Sequence, residues 1–119
     1  MEYEEQQKSY ARLDELVSYK ANWNGNGADP FPPELINKCK SIVNELSHQP
    51  EIYPTAIDAI QFEYNKSDGS YIEFEVYLDK ANVYRKDTSG NGYTKTISLS
   101  KIKKEVDAFY ESILQRPSP

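Results

Sequence analysis

The chain has 119 residues, a mass of 13.7 kDa, a formal charge of −5 and a pI near 4.9, a length that suits one domain with a core of its own. The acidic balance argues against binding to a DNA or RNA backbone, which rests on clustered Lys and Arg, and no apolar run approaches the roughly 20 residues that span a bilayer. Mean hydropathy is low at −0.79, but ten tyrosines and four phenylalanines supply amphipathic bulk, so the polarity is not a sign of disorder.

The opening M-E-Y-E-E-Q-Q is acidic and polar, the reverse of a secretory signal, and the chain is read as cytoplasmic. From Glu2 to about Lys20, Tyr3, Tyr10, Leu13 and Val17 recur at helical spacing, with Leu16 widening the stripe, which predicts an amphipathic helix.

That pattern stops at Trp23 to Pro33, W-N-G-N-G-A-D-P-F-P-P. Gly25 and Gly27 mark a tight reversal or a close approach to the backbone. Pro30, Pro32 and Pro33 remove three amide donors and push Asp29 and Phe31 to extended conformations, so no helix crosses the stretch. Pro33 suits the first turn of a following helix, and Glu34 favours its positive end. Two readings of the loop compete: a G-N-G cradle for a phosphate, or a shaped loop in which Trp23 and Phe31 plug the core. The second is preferred, since a dinucleotide fingerprint needs a preceding strand and a further glycine. Trp23, Gly25, Gly27, Ala28 and Pro30, followed by a helix and a strand meander, resemble a set of small bacterial and phage-borne proteins with a W-[DN]-G-x-G-A-x-P loop. The resemblance spans about residues 15 to 85 and implies a fold, with no activity or binding residues attached.

A second helix is predicted over Glu34 to Ser47, with Leu35, Cys39, Ile42 and Leu46 on one face and Ile36 and Val43 beside them. Cys39 is the only cysteine, which leaves no intramolecular disulfide, and on that stripe it reads as a buried small hydrophobe rather than a nucleophile. His48, the only histidine, follows the helix where it would meet the negative end. Residues 49 to 59 read as an irregular crossing, with a short edge strand at Ile52 to Thr55 as an option.

The period then becomes two. Ile60, Phe62 and Tyr64, and then Ile72, Phe74, Val76 and Leu78, alternate with polar residues, as strands with one wet face do. Ser67-Asp68-Gly69 fits a three-residue loop with glycine left-handed, pairing Tyr64 with Ile72, Phe62 with Phe74 and Ile60 with Val76. A tight turn at Lys80 and Ala81 then places Tyr84 opposite Tyr77, Lys86 opposite Glu75 and Val83 opposite Leu78. Arg85 would point inward, so its strand is expected to reach the sheet rim there or to bulge. Tyr93 to Ser98 is a fourth strand. A third helix, capped by Ser98 or Ser100, carries Ile102, Val106, Phe109 and Ile113 until Pro117 ends it.

The predicted fold is therefore α+β: two N-terminal helices, a four-stranded antiparallel meander and a C-terminal helix, with the helices on one sheet face. On the wet face Glu63 opposes Glu73 with Glu75 two residues along, a like-charge arrangement that is destabilising unless answered. With Tyr71, Tyr77 and Tyr84 these residues form either a patch for a basic partner or an ordinary solvated surface. Paired carboxylates on an open sheet lack the cleft that acid–base or metal chemistry needs, so no catalytic residue, metal or cofactor is assigned. Lys101, Lys103 and Lys104 near Lys95 read as solubilising charge rather than an anion contact. The leading expectation is a protein-interaction domain that binds, and in the manner of an antitoxin, immunity factor or phage inhibitor neutralises, a basic protein, with a second copy of itself as another candidate partner. The alternative is a small-molecule or nucleotide binder built on Gly25-Asn26-Gly27.

Overall fold

The structure, a computed structural model, describes residues 2–55 and 58–111. The side chain of Tyr3 is not among the described ones, and Ile113 and Pro117 lie outside the described residues. Three helices, α1 (Glu2–Val17), α2 (Pro33–Glu45) and α3 (Ile102–Glu111), accompany β1 (Glu51–Pro54), β2 (Ile60–Asn65), β3 (Tyr71–Val76), β4 (Ala81–Lys86) and β5 (Gly92–Ile97). The strands form one five-stranded antiparallel sheet in the order β1-β2-β3-β4-β5. The α+β class is as expected; the sheet has one strand more, because Glu51–Pro54 does pair with β2. No helix among the described residues is long and apolar enough to cross a membrane.

One face of the sheet and the helices share an apolar cluster. Ile52, Ile60, Phe62, Tyr64, Ile72, Phe74, Val76, Ala81 and Val83 meet Leu13 and Leu16 of α1, Leu35, Ile36, Cys39 and Val43 of α2, and Ile102, Val106 and Phe109 of α3. On α1 the buried positions are Ser9, Leu13 and Leu16, while Val17, expected on the stripe, is 45% exposed at the helix end. Pro32 occupies the N-cap of α2 and Pro33 its first turn, as the fixed proline φ favours. At the other end Gln49 Nε2 donates to the carbonyls of Val43 (2.8 Å) and Leu46 (3.1 Å), filling the place expected for His48. His48 instead stacks on Tyr110 at 3.8 Å. Ser98 precedes a single 3₁₀ turn, Leu99–Lys101, that leads into α3, and its hydroxyl contacts Ser100 rather than capping a helix amide.

The β2–β3 register is the expected one, set by a loop in which Gly69 has φ +90°. The β3–β4 register is not. The reversal comes earlier, at Leu78 and Asp79, where Tyr77 N–H donates to the Lys80 carbonyl at 2.9 Å. Tyr84 therefore lies opposite Glu73, Lys86 opposite Tyr71 and Val83 opposite Phe74. Leu78, expected inside, is 41% exposed in the turn. Relative to the expected pairing the slip is an even number of residues, so every β4 side chain keeps its face. Arg85 does point inward at the rim of an unbulged strand, its guanidinium 5.4 Å from the Phe109 ring. Lys66 approaches that ring from 4.4 Å and donates to the Phe109 carbonyl at 2.7 Å, a cation at the negative end of α3.

Candidate functional site: the open face of the sheet

The helices leave the other sheet face uncovered. Cross-strand pairing builds a row on it: Glu51 opposite Glu63, Glu63 opposite Glu73, Glu73 opposite Tyr84 and Tyr84 opposite Thr94. Alongside runs a second row of Tyr53, Gln61, Glu75, Asn82 and Thr96. With strands ~4.8 Å apart, the first three carboxylates spread over ~10 Å.

Each glutamate accepts a hydrogen bond from a neutral neighbour. Tyr53 Oη donates to Glu51, Gln61 Nε2 to Glu63, Tyr71 Oη to Glu73 at 2.7 Å, and Asn82 Nδ2 makes a long 3.4 Å contact to Glu75. Among the described residues no ion pair involves any of the four. Neutral donors align the carboxylates without cancelling their charge, so the repulsion between opposed positions persists. Burial, with the bond to Glu73 and the neighbouring carboxylates next, pushes the Tyr71 hydroxyl well above the ordinary tyrosine range. The Tyr71 and Tyr84 rings lie 6.1 Å apart beside the row.

Of the expected patch, Glu63, Tyr71, Glu73, Glu75 and Tyr84 thus share one surface. Tyr77 sits at its end, in the turn, with the Lys80 ammonium 5.3 Å from its ring, and does not oppose Tyr84. Sequence reasoning missed Glu51 and Tyr53. Their signal was Ile52 alternating between two polar positions beside Pro50 and Pro54; the optional edge strand at Ile52 to Thr55 leaves Glu51 outside it and gives Tyr53 no register on the sheet. The row does not converge on one point, and among the described residues no group of three His, Cys, Asp or Glu is placed to hold a metal ion.

The Trp23–Pro33 loop offers a ligand little. Gly25 N–H donates to Asn22 O (3.0 Å), Asn26 N–H and Ala28 N–H to Asn24 Oδ1 (2.8 and 3.1 Å), and Gly27 N–H to Asn22 Oδ1 (2.6 Å). A phosphate cradle presents such amides outward; here two asparagine side chains and the Asn22 carbonyl consume them. Gly25 (φ +76°) and Gly27 (φ +83°) serve the turn itself. Phe31, 4% exposed, is the plug, and Trp23 lies half-buried over it at 5.5 Å, its Nε1 donating to Asp29 O at 2.8 Å. No family model, curated protein or solved structure matches this chain. The functional reading therefore rests on geometry.

Two further groups are accounted for within the fold. Lys95 pairs with Glu105 at 2.9 Å and Lys103 with Asp107 at 2.7 Å, so these lysines do not gather into an anion site. Cys39 is buried, and burial pushes its thiol from 9.0 up to about 12, which leaves it unreactive. A cleft between α1 and β1, lined by Glu5, Lys8, Arg12, Gln49 and Tyr53, carries charges of both signs, and Arg12 is already held by Glu15 and Ile52 O.

Proposed function

We propose that the chain is a protein-interaction domain whose open sheet face binds a basic partner protein, and that covering the partner's cationic surface is how it acts, as a neutralising antitoxin or inhibitor would. One observation carries the reading: Glu51, Glu63 and Glu73 oppose one another across three strands with hydrogen bonds from neutral donors alone. A Lys or Arg brought by a partner relieves a repulsion that the free chain leaves standing, so the gain on binding exceeds that of an ordinary surface pair. The ~5 Å spacing of the row matches basic residues three or four apart on one helix face. Tyr71 and Tyr84 supply contact area with little rotamer entropy to lose.

The test uses wild type and a Glu63→Gln/Glu73→Gln variant as baits in the native host. The variant is expected to melt at the same temperature as wild type or higher, yet to lose, at moderate salt, basic proteins that wild type retains. Equal retention at low and moderate salt removes this face as the binding surface. A clear drop in melting temperature shows instead that the glutamates are satisfied within the fold.

A further inference from the structure

The two edges of the sheet are finished differently. On β1 the ladder, counted from the Thr55 N–H to Ala59 O bond at 3.2 Å, alternates so that Ile52 and Pro54 turn their main-chain groups outward. Arg12 Nε of α1 donates to the Ile52 carbonyl at 3.0 Å, and Pro54 has no N–H to offer. That edge is blunted at both residues. On β5 the same count, from Asp87 N–H to Asn91 O at 2.9 Å, turns Gly92, Thr94 and Thr96 outward. No described hydrogen bond reaches the main-chain groups of Thr94 or Thr96, and the strand is exposed along its length apart from the half-buried Ile97. Neither proline nor bulge interrupts it. An inward-pointing lysine is a common guard on such an edge; Lys95 is the one charged residue on β5, and its pair with Glu105 on α3 weakens that guard without removing its charge.

We propose that β5 is a self-association edge, on which a second copy of this chain pairs antiparallel about a two-fold axis at Thr94. Charge placement selects the occupant. The carboxylates of the open face stand on β1, β2 and β3, whereas the β5 residues on that face are Gly92, Thr94 and Thr96. Across a shared β5–β5 junction the two Glu73 side chains stand five strand spacings apart, about 24 Å. That is beyond the screening length of ~8 Å in physiological salt. On the open face, two chains of formal charge −5 therefore meet where neither opposes a carboxylate to the other, and on the other face Glu105, the acidic group beside β5, is paired with Lys95.

Register follows from the outward residues, which must pair with one another. An axis at Lys95 sets two lysines face to face, and an axis at Thr96 leaves Gly92 without a partner. The Thr94 axis pairs Thr94 with Thr94, Gly92 with Thr96 and Tyr93 with Lys95 of the second copy, and makes about six main-chain hydrogen bonds. Lys95 already lies 5.4 Å from the Tyr93 ring of its own chain, so the exchange replaces one tyrosine face by another. Tyr93, 45% exposed, is covered in the process.

Sedimentation velocity from micromolar to millimolar protein tests the proposal. A reversible dimer is expected in the upper part of that range, since one edge buries less than the ~1,200 Å² of a standard stable interface. Thr94→Pro, which removes an outward amide, is expected to be monomeric throughout with an unchanged melting temperature. Tyr93→Lys sets like charges opposite Lys95 twice and weakens the dimer by about tenfold, while Tyr93→Glu restores or tightens it. If Thr94→Pro fails to fold, the Tyr93 pair gives the same answer on an exposed side chain. A wild type that stays monomeric overturns the proposal, even if it accepts an extended segment of another protein on β5. So do a dimer that persists in Thr94→Pro and equal shifts from Tyr93→Lys and Tyr93→Glu.

Discussion

Trp23 does its work as a cover rather than as a plug. Its ring bridges Tyr19 at 5.2 Å and Phe31 at 5.5 Å, and the indole N–H fixes Asp29 O. Truncating a fully buried aromatic costs about 3–5 kcal/mol, and a half-buried one gives up less transfer energy and leaves a more open cavity. Trp23→Ala is expected to destabilise by about 2–3 kcal/mol, seen as a lower denaturant midpoint at constant slope. A midpoint equal to wild type shows that Phe31 seals the core alone. The asparagines of the loop act through their side-chain oxygens, with Asn22 itself at φ +62°. Such roles leave no periodic trace, so at Asn22 and Asn24 the sequence marks a turn without revealing which residue ties it.

At the level of elements, what could be read beforehand depended on turn chemistry. Ser67-Asp68-Gly69 announces its loop, and the whole β2–β3 ladder follows from it, including the opposition of Glu63 and Glu73. Tyr77-Leu78-Asp79-Lys80 announces nothing. Two-residue hairpins favour Asn or Gly at positive φ, and among the described residues only Asn22 and Asp58 are non-glycine positions with positive φ. The pairing of Tyr84 was misplaced for that reason, while its face was not, because alternation outlasts an even slip. Because Leu78 and Asp79 keep negative φ, replacing them by Asn-Gly adds unfolded-state freedom without relieving strain and is expected to lower stability by about 0.5–1 kcal/mol while leaving the register intact. A thermal melt with amide exchange across β3 and β4 checks both parts, and a higher melting temperature contradicts the assignment of this turn.

For the molecule as a whole, alkaline pH is the expected weakness. Cys39, raised from 9.0 to about 12 by burial, and Tyr64, raised by burial with its hydroxyl donating to His48 O at 2.8 Å, are both held neutral in the fold. The unfolded chain gives up these protons first, so their contribution is intact below about pH 9 and declines as pH rises toward 12. Each group costs about 1.4 kcal/mol per pH unit within its window. Melting temperatures from pH 8 to 11 are expected to fall progressively, and Cys39→Ala is expected to flatten the first part of that fall; an unchanged slope in the variant assigns the loss to tyrosine alone. The clamp of Arg12 on the Ile52 carbonyl has a different consequence, one of timing. Each strand pairs only with its neighbours in sequence, and the loops that join them are short, so hairpins close at small entropic cost. The helix that shields β1 must return across 40 residues to do so. While it does, the sheet has two open edges instead of one, and docking of α1 is what reduces them to the single edge on β5.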